Sequence, residues 1–191
     1  TQPSSIHVAY RESTKGEWEM RGLEHLHPEV REKALVLEAV AKSELGLDLI
    51  FTDTLRTQAE QTALYSQGRA SVGEVNANRA RAGLSAISAS ANKIITRAGP
   101  GSSWHEYGLA FDIAIVDPTG RKIIWNRDSD WNQDGEDDWA QVGALAEGVG
   151  LEWGGNFTSI YDAPHYQDRR GMTIAQMKQQ FTPGEVAADL P

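Results

Sequence analysis

The run Ser103-Trp104-His105-Glu106-Tyr107-Gly108-Leu109-Ala110-Phe111-Asp112 and the later Asp162-Ala163-Pro164-His165 supply two imidazoles and a carboxylate for one zinc ion, with further carboxylates to spare. Structural zinc sites usually close their coordination with four protein ligands, commonly cysteines, whereas hydrolytic sites use three and leave one position to water. The chain of 191 residues has no cysteine. His105, Asp112 and His165 therefore make an open His2Asp set. Asp162, three residues before the second histidine, is free to act as a base toward the attacking water, with Glu106 as the next candidate.

The element that must carry this set reads as a strand. From Leu109 to Val116 the chain alternates, with Leu109, Phe111, Ile113 and Ile115 on one face and Ala110, Asp112, Ala114 and Val116 on the other. The first face reads as core and the strand as half-buried. Asp112 then stands between small neighbours that leave room for an ion, and Gly108 frees the backbone to swing His105 back toward it. His7, His25 and His27 have no such context and read as ordinary packed or solvated residues.

These residues carry a resemblance. The pattern S-x-H-x-x-G-x-A-x-D is met at Ser103, His105, Gly108, Ala110 and Asp112, W-G-G-x-F at Trp153, Gly154, Gly155 and Phe157, and D-x-P-H-[FY]-[EQ] at Asp162, Pro164, His165, Tyr166 and Gln167. Together they resemble the zinc peptidases of the D-alanyl-D-alanine carboxypeptidase and endolysin family, over roughly residues 20 to 182. Two long motifs about 50 residues apart agree by chance far less often than one short motif. Carboxypeptidase branches of that family tend to carry E-x-x-H, whereas Asp162-Ala163-Pro164-His165 is similar to the L-alanyl-D-glutamate endopeptidases of phage lysins and wall-remodelling enzymes.

The resemblance implies metal-assisted hydrolysis of the peptidoglycan stem peptide between L-Ala and D-Glu, at the cell wall or in the periplasm. Asp162 would take the water proton and pass it to the leaving amine. Arg56, in a Leu-Arg-Thr context like the family's, would stabilise the scissile carbonyl or anchor substrate, a task suited to a planar, always charged fork of donors. Without a functional role, Arg56 is a surface salt bridge. Ser103 either binds substrate or holds the His105 loop by a hydroxyl hydrogen bond. Trp153 either walls the cleft or belongs to the core, and Tyr107 and Tyr166 are open. Two other functions compete: a D-alanyl-D-alanine carboxypeptidase, and a non-enzymatic zinc-binding module such as the Hedgehog signalling domain, which resembles the family in fold. Asp162 argues against the latter.

A second ion is suggested by the acidic stretch from Asp130 to Gln141. Asp130, Asn132, Asp134, Glu136 and Asp138 occupy loop positions one, three, five, seven and nine, with Gly135 at six, as in an EF-hand calcium loop. Asp128 adds charge. Position twelve is Gln141 where a bidentate glutamate belongs, and position eight is the charged Asp137. The alternative is a solvated turn before the next helix.

Around these motifs the chain punctuates clearly. Residues 1–20 read as an extended arm, 21–182 as the catalytic domain and 183–191 as a tail. Pro28 opens a helix with Val30, Ala34, Leu37, Ala41 and Leu45 on one face and Gly46 as its stop. Leu47 to Thr54 reads as a strand, and Thr57 with Glu60 as a capping box for a helix to Gly68. Residues 69–101 form a covering excursion with a short helix near Glu74 to Ala82. Asp117-Pro118-Thr119-Gly120 is a turn that returns Arg121 to Trp125 as an antiparallel neighbour. Trp139, Val142, Ala146 and Val149 mark a further helix, and Thr173 with Gln176 caps a last one facing inward through Ile174, Met177 and Phe181. Antiparallel strands with helices outside them predict an α+β fold, a small sheet flanked by helices as in the Hedgehog and D,D-peptidase group.

Composition agrees. At 21.0 kDa and 40% hydrophobic residues the chain suits one core and leaves no room for a wall-binding module. A formal charge of -9, a pI near 5.0 and dispersed arginines disfavour the basic face that phosphate binding needs, so no nucleic-acid partner is expected. No apolar run approaches a membrane span, and a monomer is expected. No signal peptide is visible at Thr1, while the missing initiator methionine leaves a removed leader open.

Overall fold

The computed structural model describes residues 22–116, 123–125 and 129–190. The expected N-terminal arm, the Asp117-Gly120 turn, Arg121 and Asp128 lie outside them. Helix α1 (Pro28–Val40) starts on proline, capped by the His27 ring, which accepts from the Glu29 N–H, and continues as a π-helical turn, Ala41–Leu45, up to Gly46. Its expected inner face is fully buried at Val30, Ala34, Leu37 and Ala41. Helix α2 (Gln58–Ser66) carries the Thr57–Glu60 capping box. Helix α3 (Val72–Arg81) carries a second box, from Ser71 and Glu74. Helix α4 (Asp138–Gly148) and helix α5 (Ile174–Gln180) complete the set, with Met177 buried and Ile174 and Phe181 packed at the core margin.

Among the described residues, five strands join in one antiparallel sheet: β1 (Asp48–Asp53), β2 (Ala110–Val116), β3 (Ile123–Ile124), β4 (Glu152–Trp153) and β5 (His165–Gln167). The main order is β1-β2-β5-β4. Short β3 returns against Ile115 and Val116, beyond the end of β5 on the same side of β2. With helices packed around this sheet the fold is α+β, as the sequence predicts.

The core face of the sheet is aromatic where it backs the motifs. Phe111 stacks on Tyr166 across β2 and β5 at 5.6 Å between ring centroids, and Phe51 meets Phe111 edge-on at 5.5 Å. Such pairs add about 0.5–1.5 kcal/mol beyond the area they bury. This places Tyr166 in the core, and Tyr107 is equally buried with its hydroxyl donating to the Gly101 carbonyl at 2.9 Å.

Strand β2 departs from the half-buried reading, and the C-terminal residues add contacts to the core. Strand β2 is buried on both faces, because the turn carrying His105 and the segment carrying Arg56 close over Asp112. Residues 183–190 are bound in: the Gly184 and Ala187 N–H groups donate to the Glu106 and Tyr107 carbonyls, and Ala187 and Leu190 are buried. His27 sits beneath them, its Nε2 3.1 Å from the Leu190 carbonyl.

Candidate metal centre

One rung of the sheet sets the site. Asp112 on β2 lies directly opposite His165 on β5 and opposite Asp53 on β1, so the three residues share a face. Period two alone would not put Asp53 there. Leu49 and Phe51 pair with Ile115 and Ile113 on the core face, and strict alternation would send Asp53 the same way. A bulge between Phe51 and Asp53 shifts the register by one residue and turns Asp53 onto the face of Asp112.

His105 reaches the same point from a 3-10 turn, Trp104–Tyr107, which ends at Gly108 with φ 69°. A Cβ there would stand 2.9 Å from the His25 carbonyl, so both backbone angle and space require glycine. The turn is pinned to the end of β1 by the Arg56 N–H donating to the His105 carbonyl at 3.0 Å.

His105 Nε2, Asp112 Oδ1 and His165 Nδ1 form a triangle with all three edges 3.2 Å. Three donors on a tetrahedral ion with bonds of about 2.0 Å lie about 3.3 Å apart, so the residues fit a small divalent metal with one position left open. Among the described residues, no other trio of His, Cys, Asp or Glu brings its ligand atoms within 4.8 Å of one another. The second ring nitrogens are also committed. His105 Nδ1 is 2.8 Å from the Thr54 carbonyl, which can only accept, so that nitrogen carries the proton and Nε2 presents its lone pair inward.

The charges agree with a cationic occupant. Burial alone would raise the Asp112 carboxyl, but the charge and hydrogen bonds of His105 and His165 hold it well below the usual carboxylate range. Burial opposes the charge on His165, yet Asp112 and Asp162 raise its pKa. Asp162 is half-buried and its carboxyl is pushed up, first by burial and then by the negative charge of Asp112, against the pull of His165, His105 and Arg56. A carboxyl with raised basicity beside an open metal position has the chemistry of a general base.

The turn that carries Asp162 is locked by the Trp-Gly-Gly motif. The Asp162 N–H donates to the Gly154 carbonyl at 3.0 Å, and a Cβ on Gly154 would meet the Asp162 carbonyl oxygen at 2.4 Å and the His165 Cβ at 3.0 Å. Trp153 packs its ring against Gly143 and Gly155 and donates from Nε1 to the Ala163 carbonyl at 2.8 Å. Trp153 thus braces this turn. Phe157, the last motif residue, has its ring 5.6 Å from that of His165.

Arg56 is buried at 7% exposure. Its Nε and Nη2 donate to Asp53 Oδ2 at 3.0 and 2.6 Å, Nη1 donates to Gln61 Oε1 at 2.9 Å, and Nη2 lies 3.5 Å from Asp112 Oδ2. Burial opposes its charge, but Asp53 and Asp112 outweigh this and raise its pKa. Asp53 and Gln61 are site residues the sequence reading missed; an arginine at a strand end needs a buried counter-charge, and Asp53 was the nearest acid. Ser103 is buried in the same turn, its N–H donating to Glu106 Oε2 at 3.2 Å. Glu106 also accepts from Gly101 at 2.9 Å and lies wholly inside, which raises its carboxyl despite those bonds.

The acidic stretch lies apart from this centre. Asp130 accepts from the Asp134 and Gly135 N–H groups, Asp134 from Gln141 and the Glu136 N–H, and Asp138 from the Trp131 N–H. Apart from the buried Asp138 Oδ1, which has no partner, these carboxylates find donors within the loop, and the calcium expectation finds no support among the described residues.

Comparison with known proteins points the same way. The profile of the D-alanyl-D-alanine carboxypeptidase family matches residues 96–168. The peptidoglycan L-alanyl-D-glutamate endopeptidase CwlK of Bacillus subtilis (strain 168) is 37% identical over 142 residues, 74% of this chain and 72% of the relative. Among solved structures, the L-Ala D-Glu endopeptidase ChiX of Serratia marcescens aligns with 21% identity and a TM-score of 0.44, covering 78% of this chain and 84% of that one. A mutant of the vancomycin resistance D,D-pentapeptidase VanY from the VanB-type cassette, in complex with Zn(II), aligns with 19% identity and a TM-score of 0.47, covering 93% and 88%. With the paired motifs, the His-Asp-His triangle and this degree of identity, the chain belongs to the D-alanyl-D-alanine carboxypeptidase family of metallopeptidases.

Proposed function

We propose that the chain is a zinc peptidase acting at the bacterial cell wall, where it cuts the peptidoglycan stem peptide between L-Ala and D-Glu. The observation that carries this reading is the 3.2 Å triangle of His105, Asp112 and His165 with Asp162 beside it. Two nitrogens and one oxygen in an open set suit zinc. When bound, zinc supplies Lewis acidity for water activation and carbonyl polarisation.

The protein's own groups do the rest. Asp162 accepts the proton of the attacking water and returns it to the leaving amine. Arg56 contributes fixed positive charge beside Asp112, favouring the charge that develops on the scissile carbonyl, and its bonds to Asp53 and Gln61 hold the fork still. Ser103, 6% exposed, holds the His105 turn through the bond from its N–H to Glu106. Trp153 keeps the Asp162 turn in place from the other side. The choice of bond is supported by the name of the Bacillus subtilis relative and by aspartate, not glutamate, at the base position. Among the described residues no helix is long and apolar enough to cross a membrane.

Mass spectrometry of purified peptidoglycan after digestion is expected to show new amino termini at D-Glu without free D-Ala. Release of D-Ala as the sole product would replace this reading with carboxypeptidase activity.

A further inference from the structure

Beyond the three ligands, a chain of polar contacts runs from His165 to the protein surface. His165 Nε2 lies 2.9 Å from Gln167 Oε1; Gln167 Nε2 donates to Glu152 Oε2 at 2.9 Å; and Arg169 Nε donates to Glu152 Oε1 at 2.6 Å. The sheet builds this chain. His165 and Gln167 are two residues apart on β5 and share a face, Gln167 is the direct partner of Glu152 on β4, and its neighbour on β2 is Ala110, small enough to leave space. Gln167 is buried at 6% exposure, whereas the Glu152 and Arg169 side chains are 40% and 52% exposed.

The chemistry of each link decides the next. An ionised carboxylate only accepts, so Glu152 must face the amide nitrogen of Gln167. The amide oxygen then faces His165. An amide oxygen also only accepts, so His165 must carry its proton on Nε2, which leaves the Nδ1 lone pair pointing at His105 and Asp112. We propose that Glu152 and Gln167 are a positioning pair that fixes the tautomer of His165, so that an exposed carboxylate on β4 prepares a buried metal ligand on β5. The inference rests on the reading of the centre as a zinc site.

The pair predicts unusual behaviour for a residue that touches no ligand. In Glu152→Lys an ammonium replaces the carboxylate, the amide of Gln167 turns its oxygen outward and its nitrogen toward His165, and the imidazole proton is driven to Nδ1, where the metal must bind. In Gln167→Ala the acceptor is lost. The double variant Glu152→Gln/Gln167→Glu exchanges carboxylate and amide and restores an acceptor at His165.

Zinc affinity is read by chelator competition on the purified chain, and the His165 tautomer by imidazole nitrogen-15 shifts of the metal-free protein. Loss of such an outer partner commonly weakens metal binding by about 10- to 100-fold, which is the loss expected for both single variants. The double variant is expected to bind close to wild type. Glutamine and glutamate have nearly the same shape, so the double variant keeps the packing, and the nitrogen-15 shifts of His165, which packing alone would not move in Glu152→Lys, separate positioning from packing. If Gln167→Ala does not fold, the exposed Glu152→Lys decides alone. Wild-type affinity and an Nε2 proton in Glu152→Lys would overturn the pair while leaving the zinc site standing. A wild-type chain that binds no zinc would overturn both.

Discussion

Asp112 divides its two oxygens among three partners: Oδ1 faces both imidazoles and Oδ2 faces Arg56. That arrangement makes the carboxylate strongly acidic, while burial first and then the charge of Asp112 raise Asp162. Two carboxyls of one site are pushed in opposite directions, one to stay ionised under a metal and one to exchange a proton. Asp162→Ala is therefore expected to retain zinc and fold but lose turnover by about 10²- to 10⁴-fold, the usual effect of removing a general base. Elemental analysis and steady-state rates check this, and wild-type turnover in the variant would move the base elsewhere. Arg56→Ala should behave differently. It removes the guanidinium that Asp53, at 6% exposure, bonds through Nε and Nη2, and breaking such a buried pair costs about 3–5 kcal/mol, visible as a lowered urea midpoint before any kinetic effect.

At the scale of elements, what was legible in the sequence was what has a period or a cap. The alternation of Leu109 to Val116, the spacing of Val30 to Ala41 and the capping boxes at Thr57 and Thr173 all reappear as β2, α1, α2 and α5. Strands β4 and β5 were not legible, because two and three residues are too short to show alternation and are held only by their partners. Nor was the bulge at the end of β1, an irregularity of pairing that leaves no pattern in one strand alone. The ligands were found through their motifs, but the face they share is a property of register. Gly154 shows how the two kinds of information meet: the motif marks it, and the 2.4 Å approach of the Asp162 carbonyl explains it. In Gly154→Ala backbone must move against backbone, at a cost of about 1–3 kcal/mol in stability. Since a 1 Å misplacement near a reacting centre can cost about 10²-fold in rate, activity should fall much further than stability. Gly148→Ala on α4, where an added Cβ meets nothing within 4 Å, is the control expected to leave the rate unchanged and to raise stability by up to about 1 kcal/mol. Equal rates in the two variants would remove Gly154 from the positioning of the base.

On the scale of the whole molecule, α1 is fastened to the strand end that follows His165. Lys33 Nζ donates to Asp168 Oδ2 at 2.6 Å and to the Gly150 carbonyl at 3.0 Å, and Arg170 pairs with Glu29 at the start of the helix. Burial would raise the Asp168 carboxyl, but the hydrogen bond and charge of Lys33, with the N–H and charge of Arg170, bring it below its ordinary value. A carboxyl depressed by folding stabilises the native state above its unfolded pKa of about 3.9, and that contribution is lost as pH falls through the folded value. Lys33→Met removes the strongest source of the depression from a contact whose side chains are 25% and 13% exposed. At neutral pH the variant is expected to be less stable by about 1–2 kcal/mol, between an exposed pair and a buried charge-assisted bond. Below the depressed folded value Asp168 is protonated in both proteins, so the gap between wild type and variant should close as the acid limb is crossed. Urea unfolding at a series of pH values measures that gap. A difference that stays constant from neutral pH into the acid range would mean that the Lys33 side chain acts through packing alone and that the ion pair does not fasten α1 to the sheet.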